Sequence, residues 1–140
     1  MRIVKNALTA ETFLALYASV GWEPPCMEQV RTALQKSTST FTAPDGEKAV
    51  GMVRLIDDGG MSFYIKDFAV IPEYQSKGVG SLLLNALEAY IKENIMPDWA
   101  VSLELISSKE AVGFYQKHSF EERPCERDGP GMFKMIRQDG

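Results

Sequence analysis

The stretch Gln75-Ser76-Lys77-Gly78-Val79-Gly80 has the residue types of an anion cradle. Its two glycines stand where an amphipathic helix begins, just after an apolar run that ends in Val70-Ile71-Pro72. The first turn of a helix carries N–H groups without intrahelical acceptors, and the helix dipole adds partial positive charge there. A pyrophosphate satisfies both if the backbone comes close, which glycine permits because it has no Cβ. Lys77 adds a cation at the same place. With no ligand at all, the same glycines would serve a tight turn and close helix–strand packing. Other phosphate loops fit less well. A dinucleotide fingerprint needs a third glycine where Leu83 stands, and the G-x-x-x-x-G-K-[ST] pattern is absent.

Such a cradle needs a strand before it and a helix after it, and the chain supplies both. Val79, Leu82, Leu83, Ala86, Leu87, Tyr90 and Ile91 recur at helical spacing, with Asn85, Glu88 and Lys92 on the other face. That helix is expected to end before Pro97. Upstream, Met61 to Ile71 is apolar almost throughout, as in a strand covered on both faces. Lys66-Asp67 interrupts it and suggests a bulge, or else an edge or solvent-facing stretch. Residues 2–5 read as a first strand. Thr9 and Thr12 form a capping-box pattern before Phe13, Leu16, Tyr17 and Val20. Gly21-Trp22-Glu23-Pro24-Pro25 breaks that helix, and a second follows over 26–36. Strands are expected over 38–42 and 49–56, joined by the turn at 43–46, with Asp57-Asp58-Gly59-Gly60 as a hairpin turn. Val101, Leu103 and Leu105 alternate with Ser102 and Glu104 as in a strand, and Ser108 is placed to cap a helix carrying Ala111, Val112, Phe114 and Tyr115. Two closing strands are expected over 120–123 and 131–136. Helices interrupting a sheet of mixed direction describe an α/β or α+β layout.

Composition narrows the function classes. The chain has 140 residues, 45% apolar and 24% charged, enough for one domain with one core. No apolar run approaches the ~18 residues of a membrane span, so no membrane partner is expected. The first residues lack a secretory pattern, which points to the cytoplasm and to free thiols at Cys26 and Cys125. A single histidine, His118, argues against a Cys/His zinc site, and no metal is expected. His118 is expected to cap or cover a helix end, and the two cysteines to be packing or surface thiols. The net charge is −4, and Lys and Arg are scattered rather than blocked. Nucleic acid, whose affinity is built on phosphate neutralisation, is therefore not an expected partner. A mildly acidic surface tolerates a cationic small molecule.

Q-x-x-G-x-G after a strand ending Ala69-Val70-x-Pro72 resembles the acetyl-CoA-binding segment of the GCN5-related N-acetyltransferases. Downstream, Ser108-Lys109-Glu110-Ala111-Val112-Gly113-Phe114-Tyr115-Gln116-Lys117-His118-Ser119-Phe120 is similar to the family's N-x-x-A-x-x-F-Y-x-x-x-G-F. Two motifs in the right order are more specific than either alone, and the order of elements matches over nearly the whole chain. Two departures stand out. Ser108 replaces an Asn whose side chain commonly meets the cofactor arm, and Ser119 replaces the Gly before Phe120.

The resemblance implies one domain over 1–140. It also implies a GNAT-like, mostly antiparallel central sheet of about six to seven strands flanked by about four helices. It implies an acyltransferase that moves an acetyl group from acetyl-CoA directly to an amine acceptor, a small molecule or a peptide. Residues 75–81 would hold the pyrophosphate, namely Gln75, Ser76, Lys77, Gly78, Val79, Gly80 and Ser81. Backbone groups of Phe68, Ala69 and Val70 would pair with the pantetheine arm, and an N–H there would hold the developing oxyanion. Ser108 and Phe114 would also line the cofactor. Tyr115 would give a proton to the leaving sulfur, with Phe114-Tyr115 as core aromatics of a short helix the alternative. Asp67 or Glu104 would accept the amine proton, and either would otherwise be a structural or solvated carboxylate. Trp22 and Glu23 would lie at the acceptor pocket, with core packing the plain alternative for Trp22. An acyl-CoA-binding module without turnover and a nucleotide-binding or purely structural domain remain open, as does oligomeric state, a homodimer included.

Overall fold

The structure is a computed structural model and describes residues 1–139. Two compact units divide the chain, one over Met1–Leu105 and one from Ile106 onward. The first holds β1 (Val4–Lys5), α1 (Ala10–Ser19), α2 (Met27–Lys36), β2 (Ser39–Asp45), β3 (Lys48–Asp57), β4 (Ser62–Val70), a 3₁₀ turn (Pro72–Tyr74), α3 (Val79–Asn94) and β5 (Ser102–Glu104). The second holds α4 (Val112–Lys117). The strands make one sheet in the order β1-β2-β3-β4-β5. All pairs are antiparallel except β4 with β5, which is parallel.

Local chemistry explains most of these boundaries. Thr9 caps α1: its hydroxyl accepts the Thr12 N–H at 3.1 Å and donates to the Thr12 hydroxyl at 3.1 Å. α3 buries Val79, Leu83, Leu84, Leu87 and Ile91, three of them completely, at ~1.5–3 kcal/mol for each large aliphatic side chain. Leu82, expected in the stripe, is 41% exposed, and Leu84 takes its place. The buried stripe follows the 79-83-87-91 row, and Leu84 flanks that row on its buried side.

β3 is buried over Val50–Val53 in succession, so both of its faces are covered. On one face a Cβ added at Gly51 would stand 3.0 Å from Leu83 Cδ1 and 3.2 Å from Val79 Cγ1. The missing side chain therefore lets the first turns of α3 lie directly on the sheet. The other face carries α1, which packs on β3 and β4. No helix among the described residues is long and apolar enough to cross a membrane.

The sheet has five strands among the described residues, fewer than the expected six to seven. The closing strands expected over 120–123 and 131–136 are absent from it. Pro124 and Pro130 lack the N–H that a ladder needs. Met132, Phe133, Met135 and Ile136 are 69–90% exposed, so this apolar run buries no strand face.

Candidate active site

The loop between β4 and α3 is built in three steps. Tyr74 N–H donates to the Ile71 carbonyl at 2.9 Å and Gln75 N–H to that of Pro72 at 3.2 Å, forming the 3₁₀ turn. Ser76 and Gly78 then take left-handed backbone, φ +62° and +86°, and Gly78 becomes the N-cap of α3. The helix ladder opens with Leu82 N–H donating to the Gly78 carbonyl at 3.1 Å. The N–H groups of Val79 and Gly80 thus sit in the turn that has no intrahelical acceptor. Residues 75–78 are exposed, and a Cβ at Gly78 would meet nothing within 4 Å. The space over this helix start is open, as a pyrophosphate requires.

Side chains brace the loop. Gln75 Nε2 donates to the Val70 carbonyl at 2.8 Å, tying the loop to the end of β4. The Tyr74 hydroxyl donates to Asp45 at the β2–β3 turn, and Lys77 Nζ lies 5.6 Å from the Tyr74 ring centroid. That hydrogen bond, with some burial, raises the Tyr74 phenol above its usual range.

β4 carries the bulge suggested by Lys66-Asp67. Met52 pairs with Ala69 and Arg54 with Lys66, so two residues of β4, Asp67 and Phe68, oppose Val53 alone. Asp67 stands in left-handed backbone at φ +54°, which costs a non-glycine residue about 1–2 kcal/mol. Its carboxylate accepts Arg54 Nε–H at 2.8 Å, with the two side chains 11% and 13% exposed. Arg54 also donates to the Ser37 hydroxyl at 3.3 Å. Tyr17 of α1 lies in the field of this pair. Burial raises its phenol, the Asp67 charge raises it further, and Arg54 opposes. The Tyr17 ring stacks on Phe13 at 5.1 Å and meets the edge of Trp22 at 5.0 Å. Trp22 is half-buried and Glu23 exposed. Asp67, Arg54 and Ser37 thus form one hydrogen-bonded group, and Tyr17, which touches Trp22, lies within its field.

The parallel ladder of β5 with β4 ends at Glu104 opposite Tyr64, while β4 runs on to Val70. Burial and the Glu104 charge both raise the Tyr64 phenol.

In the second unit, α4 closes in a Schellman arrangement: Ser119 N–H donates to Gln116 O at 3.1 Å and Phe120 N–H to Tyr115 O at 3.1 Å. Ser119 takes φ +71°, the conformation for which glycine is usual, so the departure at this position is a strained serine in an unchanged turn. Phe120 and Phe114 hold the Tyr115 ring edge-on at 5.5 Å and 5.2 Å. Tyr115 is buried, and burial pushes its phenol up to about 12. His118 is the C-cap of α4, its ring 4.8 Å from that of Phe114. Ser108 does not cap α4. Ala111 is the N-cap, and its N–H donates to the Ser108 carbonyl at 3.2 Å. Cys26 and Cys125 are free thiols, and Cys26 is the N-cap of α2.

Gln75, Ser76, Lys77, Gly78, Val79, Gly80 and Ser81 fall in one continuous loop and helix start, and Phe68, Ala69 and Val70 lead into it. Asp67 pairs with Arg54, and Glu104 stands opposite Tyr64 in the β4–β5 ladder. Sequence reasoning missed Tyr17, Arg54, Gly51 and the Tyr74–Asp45 contact. A lone glycine and a lone arginine within the apolar run 49–56 were the available signals, since each needs a packing or pairing reason inside a strand.

A family model described as an acetyltransferase (GNAT) domain matches residues 7–138. The uncharacterized N-acetyltransferase ycf52 of Pyropia yezoensis is 29% identical over 120 residues, which make up 82% of this chain and 65% of that protein. The chain thus matches just under two thirds of the length of the first curated relatives. Among solved structures, a protein of unknown function from meticillin-resistant Staphylococcus aureus, described as a probable acetyltransferase, has a TM-score of 0.84 at 32% identity, covering 96% of this chain and 98% of that one. A GNAT family acetyltransferase from Streptococcus pneumoniae has a TM-score of 0.78 at 33% identity over 98% of both chains. A family match running almost from end to end, on a fold that carries the loop described above, means that this chain belongs to the GNAT acetyltransferase family.

Proposed function

We propose that the protein transfers an acetyl group from acetyl-CoA to an amine, carried by a small molecule or a peptide, and that residues 1–140 act as one domain. The observation that carries this reading is the 75–80 loop. Left-handed Ser76 and Gly78 turn the chain so that the Val79 and Gly80 N–H groups open a helix of 16 residues into clear space, beside Lys77. Residues 75–81 would hold the pyrophosphate, and the backbone of Phe68, Ala69 and Val70 the pantetheine arm. Ser108 and Phe114 are carried as further cofactor contacts on the family resemblance. The cytoplasm is the proposed compartment, in keeping with two free thiols.

The bound donor supplies an acetyl thioester. The amine lone pair forms the new C–N bond, the C–S bond breaks with its electrons on sulfur, sulfur gains a proton and the amine loses one. Tyr115 is the proposed acid on the family resemblance, and its raised phenol keeps the proton throughout the neutral range. Of the two carboxylates, Glu104 is the one proposed to accept the amine proton, because Asp67 is already paired with Arg54. Trp22 and Glu23 are proposed to contact the acceptor. Calorimetric titration with CoA tests the loop. Gly78→Asp puts a side chain and a negative charge at the helix start, and should weaken binding at least about tenfold, ~1.4 kcal/mol. Wild-type affinity in the folded variant would rule the loop out.

A further inference from the structure

Arg54 opposes Lys66 in the β3–β4 ladder, yet its Nε–H reaches past that position to Asp67. It can do so because the bulge turns Asp67 out of the strand alternation. The carboxylate and guanidinium are both largely covered, at 11% and 13% exposure. A carboxylate sealed against a permanent cation is a poor acceptor for an amine proton, since neutralising it strands the buried Arg54 charge. The next residues along β4 are Phe68, Ala69 and Val70, whose backbone directions depend on the bulge. From the same guanidinium a second contact runs to Ser37, just after α2, and Tyr17 stands in the field of both charges.

We infer that Arg54 and Asp67 are a positioning pair for acyl transfer: together they hold the β4 bulge that aims Phe68–Val70, and Asp67 does not act as the base. This role rests on the acetyl-transfer reading above. The pair ties β3 and β4 together at the bulge, and through the Arg54–Ser37 hydrogen bond it reaches the end of α2. Losing one partner leaves a covered charge alone and frees the bulge to relax, which misaligns the donor without removing any group that touches it.

The test uses glycine, which adopts φ +54° without strain and carries no carboxylate. Four variants are compared with the wild type: Arg54→Met, Asp67→Asn, Asp67→Gly and the double variant Arg54→Met/Asp67→Gly. Thiol release is followed against pH with a good amine acceptor, together with CoA titration and melting. Each single variant should lower kcat about tenfold or more, with the acidic limb of the kcat profile left at the wild-type pH. The double variant removes both charges, keeps the bulge backbone, and should return kcat to within about threefold of wild type.

A double variant that melts and binds CoA normally but stays about a hundredfold down, with the acidic limb gone, makes Asp67 the base and overturns the inference. So does an Arg54→Met protein that turns over like wild type. If the single variants fail to fold, the double variant alone decides, because it leaves neither charge unpaired. A wild type that releases no thiol with any amine overturns the acetyl-transfer reading and this role with it. A working wild type whose Arg54→Met variant turns over at the same rate overturns this role only.

Discussion

Replacing Gly51 by alanine probes how α3, and with it the loop proposed to hold pyrophosphate, is seated on the sheet. The added Cβ would lie 3.0 Å from Leu83 Cδ1, 3.2 Å from Val79 Cγ1 and 3.5 Å from the Ala69 carbonyl oxygen. Leu83 is 0% exposed and Val79 3%, so neither can swing into solvent to make room. Overpacking of this kind costs about 1–3 kcal/mol. Losing a glycine returns roughly 0.4–1 kcal/mol through the unfolded chain. The net expectation is a loss of about 1–2 kcal/mol, or roughly 3–8 °C in Tm for a chain of this size. Urea unfolding should show a lower midpoint at constant m. Val79 is also the first residue of α3, so the displacement reaches the loop and CoA affinity should fall severalfold. Leu83→Val removes the δ-methyl that the new Cβ meets. In the double variant Gly51→Ala/Leu83→Val the combined loss should therefore fall short of the sum by about 0.5 kcal/mol or more. A Gly51→Ala protein as stable as wild type, or strict additivity with Leu83→Val, would refute the close seating.

Two further outcomes are expected. Asp58 Oδ1 accepts the N–H groups of Gly60, Met61 and Ser62 at 2.9, 2.8 and 3.1 Å, and these backbone bonds lower its carboxyl to about 2. A depressed folded value means that the stabilisation is complete above the unfolded value of ~3.9 and fades as pH falls toward 2. Asp58→Ala should therefore melt below wild type at pH 7, with the gap closing in acid, and a gap independent of pH would contradict this. For Tyr115, a phenol near 12 and a thiol near ~8.5 make complete proton transfer uphill by roughly 3–4 units, about 5 kcal/mol. As the proposed acid, Tyr115 would then act through a hydrogen bond to the departing sulfur. Tyr115→Phe should lower kcat toward the small end of the ~10²–10⁴ range of acid catalysis, with CoA affinity unchanged. No alkaline limb from Tyr115 is expected below about pH 11. Unchanged turnover would remove Tyr115 from the mechanism.

Local chemistry was legible where it decides structure alone. The Thr9 cap, the breaker run 21–25, the Gly78 helix start and the bulge at Lys66-Asp67 could all be read from neighbours in the chain. What stayed hidden depends on partners far away. Arg54 and Asp67 are 13 residues apart, and only the β3–β4 register with its extra residue brings them together. Leu82 and Leu84 both satisfy helical spacing, and the sheet beneath α3 chooses between them. The apolar residues of 131–136 suit a strand, but a strand exists only against a neighbour, and local sequence does not supply one. Ser119 shows the opposite case: the family pattern marked the position, and the Schellman hydrogen bonds explain why glycine is usual there.

The central claim is that this chain moves an acetyl group from CoA to an amine. Its most direct test is the wild-type protein with acetyl-CoA and a panel of small amines and peptides, following free thiol and the mass of the acceptor together. The account predicts that thiol appears in step with an acceptor heavier by one acetyl group, and only when an amine is present. Tight CoA binding with no thiol release across the panel, or thiol release with no acetylated product, would contradict it.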